Sequence, residues 1–231
     1  MPLASSAATR LRVGGLTPLT TQDYPGELAA VIFCHGCPWR CRYCHNDHLL
    51  TTTPDELIAW AEVMAFLKSR RGLLDAVVFS GGEPTAQGAL AAAITEVRTL
   101  GFKIGLHTGG AYPQRLAALI PLLDWVGLDI KALAADYPQV TGVPDSGRAA
   151  WASLELLLAA NLALEVRTTP MPGFDHPDYL EQLMQQLVAR GVQHYVIQSC
   201  HSARMRDQTL GAPYTLNPHA LPNLPLTIER R

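Results

Sequence analysis

Short apolar runs rich in β-branched residues alternate along this chain with longer stretches whose apolar positions recur at helical spacing. The runs at 28–33, 76–80, 102–107, 125–131, 162–168 and 193–199 read as strands. Between them, 54–70, 87–100, 113–122, 148–160 and 177–190 read as helices. Several ends have a local cause. Thr53-Pro54-Asp55-Glu56 supplies an N-cap, a proline at the first helical position and acids in the first turn, while Gly101 and Gly191 supply C-terminal stops.

Six strands alternating with five helices form a parallel β/α series, and strands this apolar suit a sheet covered on both faces. A doubly wound sheet and a barrel both satisfy the pattern. A complete eightfold barrel takes about 250 residues, and only six units are present here. The predicted fold class is therefore α/β, an incomplete parallel (β/α)6 barrel. Residues 14–26 read as a turn-rich N-terminal extension, and 1–13 before them as a flexible leader. Residues 14–210 read as one domain, and 211–231, with four prolines, as an irregular tail.

Composition narrows the function classes. Of 231 residues, 48% are apolar and 16% charged, enough for a sizeable core and unlike a disordered chain. Eighteen basic against 20 acidic side chains leave a net charge of −2, which offers no broad footprint for nucleic acid or an anionic membrane. The most apolar stretch, 154–166, is interrupted by Glu155, Asn161 and Glu165, so no spanning helix is expected. The first twelve residues lack the apolar centre of a secretory signal, and a cytoplasmic location is expected.

Four of the five cysteines fall within 34–44, and Cys200 stands apart, which is no disulfide framework. Cys37, Cys41 and Cys44 have C-x3-C-x2-C spacing directly after the first strand, so three thiolates can converge on one cluster from a single loop. An electron-transfer cubane usually takes four, so three leave one iron open. Counting Cys34 gives a competing structural zinc site, although zinc ribbons space their knuckles more widely and Cys34 can simply pack inward.

With Tyr43 before the last cysteine, this segment resembles the signature of the radical S-adenosylmethionine (SAM) superfamily. Its context, YPGELAAVIFCHGCPWRCRYCHN, resembles the activating enzymes of glycyl radical enzymes, above all the branch serving anaerobic ribonucleoside-triphosphate reductase. The resemblance implies a [4Fe-4S] cluster on Cys37, Cys41 and Cys44 whose open iron chelates SAM. It also implies a deoxyadenosyl radical that takes an α-hydrogen from a glycine of a partner protein, and an electron donor such as flavodoxin or ferredoxin. A small-molecule enzyme of the same superfamily, such as a deazaguanine-forming synthase, and a zinc-bound interaction module are the alternatives.

The remaining candidates sit at strand C-terminal ends, where parallel α/β folds build sites. Gly81, Gly82 and Glu83 resemble the family's GGEP motif, which implies a hold on the methionine amino group. Two glycines there also suit an ordinary βα turn. Asp129, Ile130 and Lys131 form a DIK segment that the resemblance brings to SAM, and that pattern alone reads as a strand-end ion pair. Arg167 matches a family arginine in the next strand, and His201 a polar position near the adenosine. His45 and Asn46 shape the cluster loop. The family's Asp-Thr-Asn-Gly becomes His107-Thr108-Gly109-Gly110, which keeps Thr108 as a cofactor contact but replaces a cation-binding aspartate. His107 hydrogen-bonded to Asp129 would substitute for that ion's charge.

Overall fold

The computed structural model describes residues 6–51, 56–200, 204–211 and 227–230. One sheet of eight strands organises them: β1 (Val13–Thr20), β2 (Ala29–Cys34), β3 (Ala76–Gly81), β4 (Lys103–Thr108), β5 (Trp125–Asp129), β6 (Ala163–Thr168), β7 (His194–Ile197) and β8 (Thr227–Arg230). Neighbours in space are neighbours in sequence. β1 runs antiparallel to β2, and every later pair is parallel. The crossovers carry α1 (Trp60–Ser69), α2 (Leu90–Arg98), α3 (Pro113–Leu119), α4 (Tyr137–Thr141), α5 (Ser146–Ala159) and α6 (Pro177–Ala189).

Strand order without a reversal delivers each crossover to the same side of the sheet, because such connections share one hand. Side-chain alternation shows the result. Ile32 and Cys34 of β2, Phe79 of β3, Leu106 of β4 and Leu128 of β5 join helix residues such as Leu67, Ile94, Leu154 and Leu183 in the main core. The opposite face holds a small cluster of Ala29, Val31, Ala76, Val78 and Trp125, closed by Tyr24 from the β1–β2 loop and containing no helix residue. A doubly wound sheet would carry helices on both faces. This one is open and helix-covered on one side.

The six predicted strands appear as β2 to β7, and Gly101 and Gly191, at φ 94° and 88°, end their helices as expected. Other boundaries move. The 14–26 segment is not only turns, because β1 occupies most of it. Its glycines and Pro18 conceal a strand, yet an edge strand tolerates both, and the register shifts around Pro18. The presumed leader includes a 3-10 turn, Ala7–Arg10, whose Ala8 is fully buried in the main core. Part of the tail is β8, paired with β7, while 212–226 and 231 lie outside the described residues. α1 begins later than predicted because the Ile58 amide donates to the Val13 carbonyl (2.9 Å), which keeps the chain extended to that point. Most of the proposed Thr53–Glu56 cap also lies outside the described residues. α4, a single short element ending at Gly142 (φ 70°), had no apolar periodicity long enough to reveal it.

Candidate functional site

The C-terminal ends of the strands enclose a cavity of about 220 Å3. Cys37, Cys41 and Cys44 all line it, from the loop that leaves β2. Cys34 does not. It is the last residue of β2, on the face turned to the helices, with no exposure. Burial pushes the Cys37 thiol up to about 12, with Glu83 adding to it, and burial also raises Cys41 and Cys44 against the opposing pull of Lys131. Thiols in this state keep their protons until a metal displaces them. Among the described residues no three His, Cys, Asp or Glu side chains close on a point that one metal ion could take, so the trio borders a volume rather than a single ion position.

The turn after β3 forms the second wall, with Gly81, Gly82 and Glu83 all lining the cavity. Sequence reasoning gave these glycines a close approach to ligand, but their first close approach is to the protein's own cysteine loop. Gly82 N–H donates to Cys34 O (2.8 Å) and Glu83 N–H to Gly36 O (2.9 Å). A Cβ on Gly82 would stand 2.4 Å from Gly36 O, and one on Gly81, at φ 113°, 2.5 Å from the Cys34 backbone. Glu83 is buried, which raises its pKa, and it accepts hydrogen bonds from Thr85 N–H, Thr85 Oγ1, Thr108 Oγ1 and Gly109 N–H. Its carboxylate therefore joins the β3 turn to the β4 turn. Thr108 stands behind the wall in that network and does not line the cavity.

Asp129 and Lys131 line the third wall. Lys131 Nζ lies 3.1 Å from Asp129 Oδ2, and Arg167 holds Oδ1 at 3.0 Å. Burial alone would raise the Asp129 pKa, but the two cations outweigh it and hold the carboxyl at about 2. Asp129 and Arg167 are both on the helix-free face and paired in register. The guanidinium lies behind the carboxylate, outside the cavity lining. Ile130 faces the core, fully buried, and contributes backbone only: its N–H donates to Arg167 O and its carbonyl accepts from Thr168 Oγ1. The ion pair of this segment is present, and both of its charged residues line the cavity.

Tyr43 lines the cavity with a buried hydroxyl that has no hydrogen-bond partner among the described residues, and Lys131 Nζ is 5.6 Å from its ring centroid. His45 and Asn46 line it as well. His201 lies outside the described residues. The hydrogen bonds of His107 run to groups other than Asp129, although the ring adds a minor electrostatic pull to those that lower the pKa of the Asp129 carboxyl. Its Nε2 meets Asp23 O at 2.8 Å and its Nδ1 meets Ser80 Oγ at 3.2 Å, which ties the β1–β2 loop to the sheet instead.

Sequence reasoning missed Trp39, Gly109, Thr169 and Gln198, all of which line the cavity. The last two were within reach, since strict alternation from Arg167 carries the helix-free face of β6 forward to Thr169, and Gln198 follows β7. A larger cavity of about 620 Å3 lies at the opposite ends of β5 to β8, beside Trp125, Glu165, His194 and Glu229. It gathers no thiols, so the smaller cavity is the candidate site.

A cavity near 220 Å3 is below the roughly 300–1,000 Å3 of common ligand sites. The donor set makes the case for a cofactor: soft thiols on one wall, an ammonium and a carboxylate on another, and an orphaned hydroxyl between them.

Comparison with known proteins agrees. The Radical SAM superfamily matches residues 31–187. The "Putative glycyl-radical enzyme activating enzyme MJ1227" of Methanocaldococcus jannaschii is 31% identical over 183 residues, 74% of this chain and 73% of its own. A 7-carboxy-7-deazaguanine synthase of Methanopyrus kandleri is 28% identical over 142 residues, 53% of this chain and 56% of its own. Streptococcus suis SuiB bound to S-adenosylmethionine superposes with a TM-score of 0.58 over 72% of this chain and 39% of that one, at 12% identity, a likeness of fold.

Proposed function

This chain belongs to the radical SAM superfamily, and from that premise we propose that it activates a glycyl radical enzyme by taking an α-hydrogen from one glycine of it. A [4Fe-4S] cluster and SAM are the family's cofactors, and together they supply one-electron cleavage of the sulfonium to a deoxyadenosyl radical, the hydrogen acceptor. The observation that carries the reading is the convergence of Cys37, Cys41 and Cys44, and no other thiol, on the cavity that Lys131 and Asp129 border.

In this reading Cys37, Cys41 and Cys44 would be the thiolates that hold the cluster. With the Gly82 and Glu83 N–H groups held by the cysteine loop, the turn at 81–83 would meet the amino group of SAM with carbonyl oxygen. Lys131 presents an ammonium to a carboxylate while Asp129, fixed by Arg167, stays ionised across the physiological range. The buried Tyr43 hydroxyl is free to donate to the nucleoside, and the Tyr43 and Trp39 rings exclude water. Thr108, Ile130 and Arg167 act from behind the wall, and His201 is proposed near the adenosine. The one-sided helix cover supports a partial barrel, whose open edge would admit a protein loop. Anaerobic ribonucleoside-triphosphate reductase is the proposed partner, and an electron carrier such as flavodoxin or ferredoxin the reductant.

Anaerobic reconstitution tests the site. The wild type and Cys34→Ala should each take up about four irons per chain, and Cys37→Ala, Cys41→Ala and Cys44→Ala should lose the cluster and all 5′-deoxyadenosine formation. Loss of the cluster in Cys34→Ala would overturn the ligand set, and zinc in place of iron would return the chain to the interaction-module reading. The similarity to the deazaguanine synthase favours a second reading, a small-molecule substrate. Oxygen-dependent cleavage of the reductase at a single glycine after incubation supports the activase, and formation of a deazaguanine product without any protein partner supports the synthase.

A further inference from the structure

Trp39 is the middle residue of the arc between Cys37 and Cys41, yet it points inward and is only 4% exposed. Its indole lies directly on Gly109 in the turn after β4. A Cβ built there would stand 2.4 Å from Trp39 Cζ3 and 3.1 Å from Cε3, so nothing larger than hydrogen fits without moving the ring. The indole also meets Tyr137 of α4 edge-on, with centroids 5.9 Å apart at 70°. Tyr137 is itself fully buried, and its hydroxyl accepts from Lys131 N–H at 2.9 Å. The arc backbone is fastened around this wedge. Arg40 N–H donates to Thr141 O (2.8 Å) and Arg42 N–H to Val140 O (3.1 Å), while the Arg40 guanidinium donates to Cys37 O (2.7 Å) and Trp39 O (2.9 Å).

We propose that Trp39 is a positioning residue that fixes the Cys37–Cys41 arc before any cofactor binds, and that Gly109 is required as its seat. The indole meets the turn after β4 and the helix α4 that follows β5, and so sets two thiols in relation to both. Chain entropy is thereby removed from the arc in advance, which is how a loop site gains the precision of a site built on rigid elements. The proposal rests on the assignment of Cys37 and Cys41 as iron ligands for its function, but not for its test in the metal-free protein.

The test combines amide hydrogen exchange on the metal-free chain with cluster lifetime in air after anaerobic reconstitution. Gly109→Ala and Trp39→Ala should each speed exchange across 37–44 by about tenfold or more, as expected when a local opening becomes easier. Exchange in β3 and β5 should not change. Trp39→Phe, which keeps a ring on Gly109, should restore most of the protection. The loaded variants should lose their cluster absorbance several times faster than wild type, in the same order. Wild-type exchange in Gly109→Ala, or accelerated exchange spread over the whole sheet, would overturn the proposal. Should wild type fail to take up about four irons, the cluster reading fails while the exchange result still decides the role of Trp39.

Discussion

Asp129 shows how single residues share the work of this site. Its folded pKa, about 2, lies below the ordinary value of 3.8, so the stabilisation is complete above about pH 4 and is lost as pH falls through about 2. The difference corresponds to about 2 kcal/mol for a side chain less than one-third exposed. Asp129→Asn should therefore unfold at lower urea near pH 7, and the gap from wild type should close towards pH 2. Gly82 makes a steric case. Its Cβ would enter the Gly36 carbonyl, and backbone cannot swing aside as a side chain can. Gly82→Ala should cost about 1–3 kcal/mol in urea denaturation, without any cofactor present. The cysteine spacing was legible because one loop must present all three thiols, so the signal is local. The fit of Trp39 onto Gly109 was not, because it joins segments far apart in the chain and neither residue announces the other.

At the scale of elements, β2 to β7 were legible because each is a short apolar run set between helical patterns. β1 and β8 were not. Each lies at an edge of the sheet and pairs on one side only, so neither needs a continuous apolar pattern, and β1 even accommodates Pro18. β1 nevertheless bears load at one end. Val13 is fully buried, bridges Ile58 and so delays the start of α1. Val13→Ala should cost about 2 kcal/mol in the urea midpoint, a large effect for an edge strand. The register of β6 offers the complementary lesson: Arg167 on the helix-free face predicts Thr169 beside it at the cavity, one residue beyond the strand's end at Thr168.

For the whole molecule, strand order decides where chemistry can occur. A sequential parallel sheet with its helices on one side leaves the other side and the C-terminal rim for ligands. Six turns, those after β2 to β7, contribute to the lining of one cavity, so filling it should brace turns that come from separate strands. Iron-loaded protein should melt several degrees above metal-free protein under anaerobic conditions, and a chelator that strips the iron should remove the difference, as expected for a ligand that binds only the folded chain. Among the described residues no helix is long and apolar enough to cross a membrane, in agreement with the hydropathy of the sequence.

Gly127 extends this reach to a position that meets no cofactor. A Cβ there would stand 2.8 Å from Arg167 Cζ and 2.9 Å from the Trp125 ring, so the guanidinium reaches Asp129 only by lying across bare backbone. The middle of β5 thus holds a hidden veto over the rim: a methyl group added at Gly127 would tilt the arginine away and leave the aspartate to a lysine alone, with every thiol at the cavity left intact.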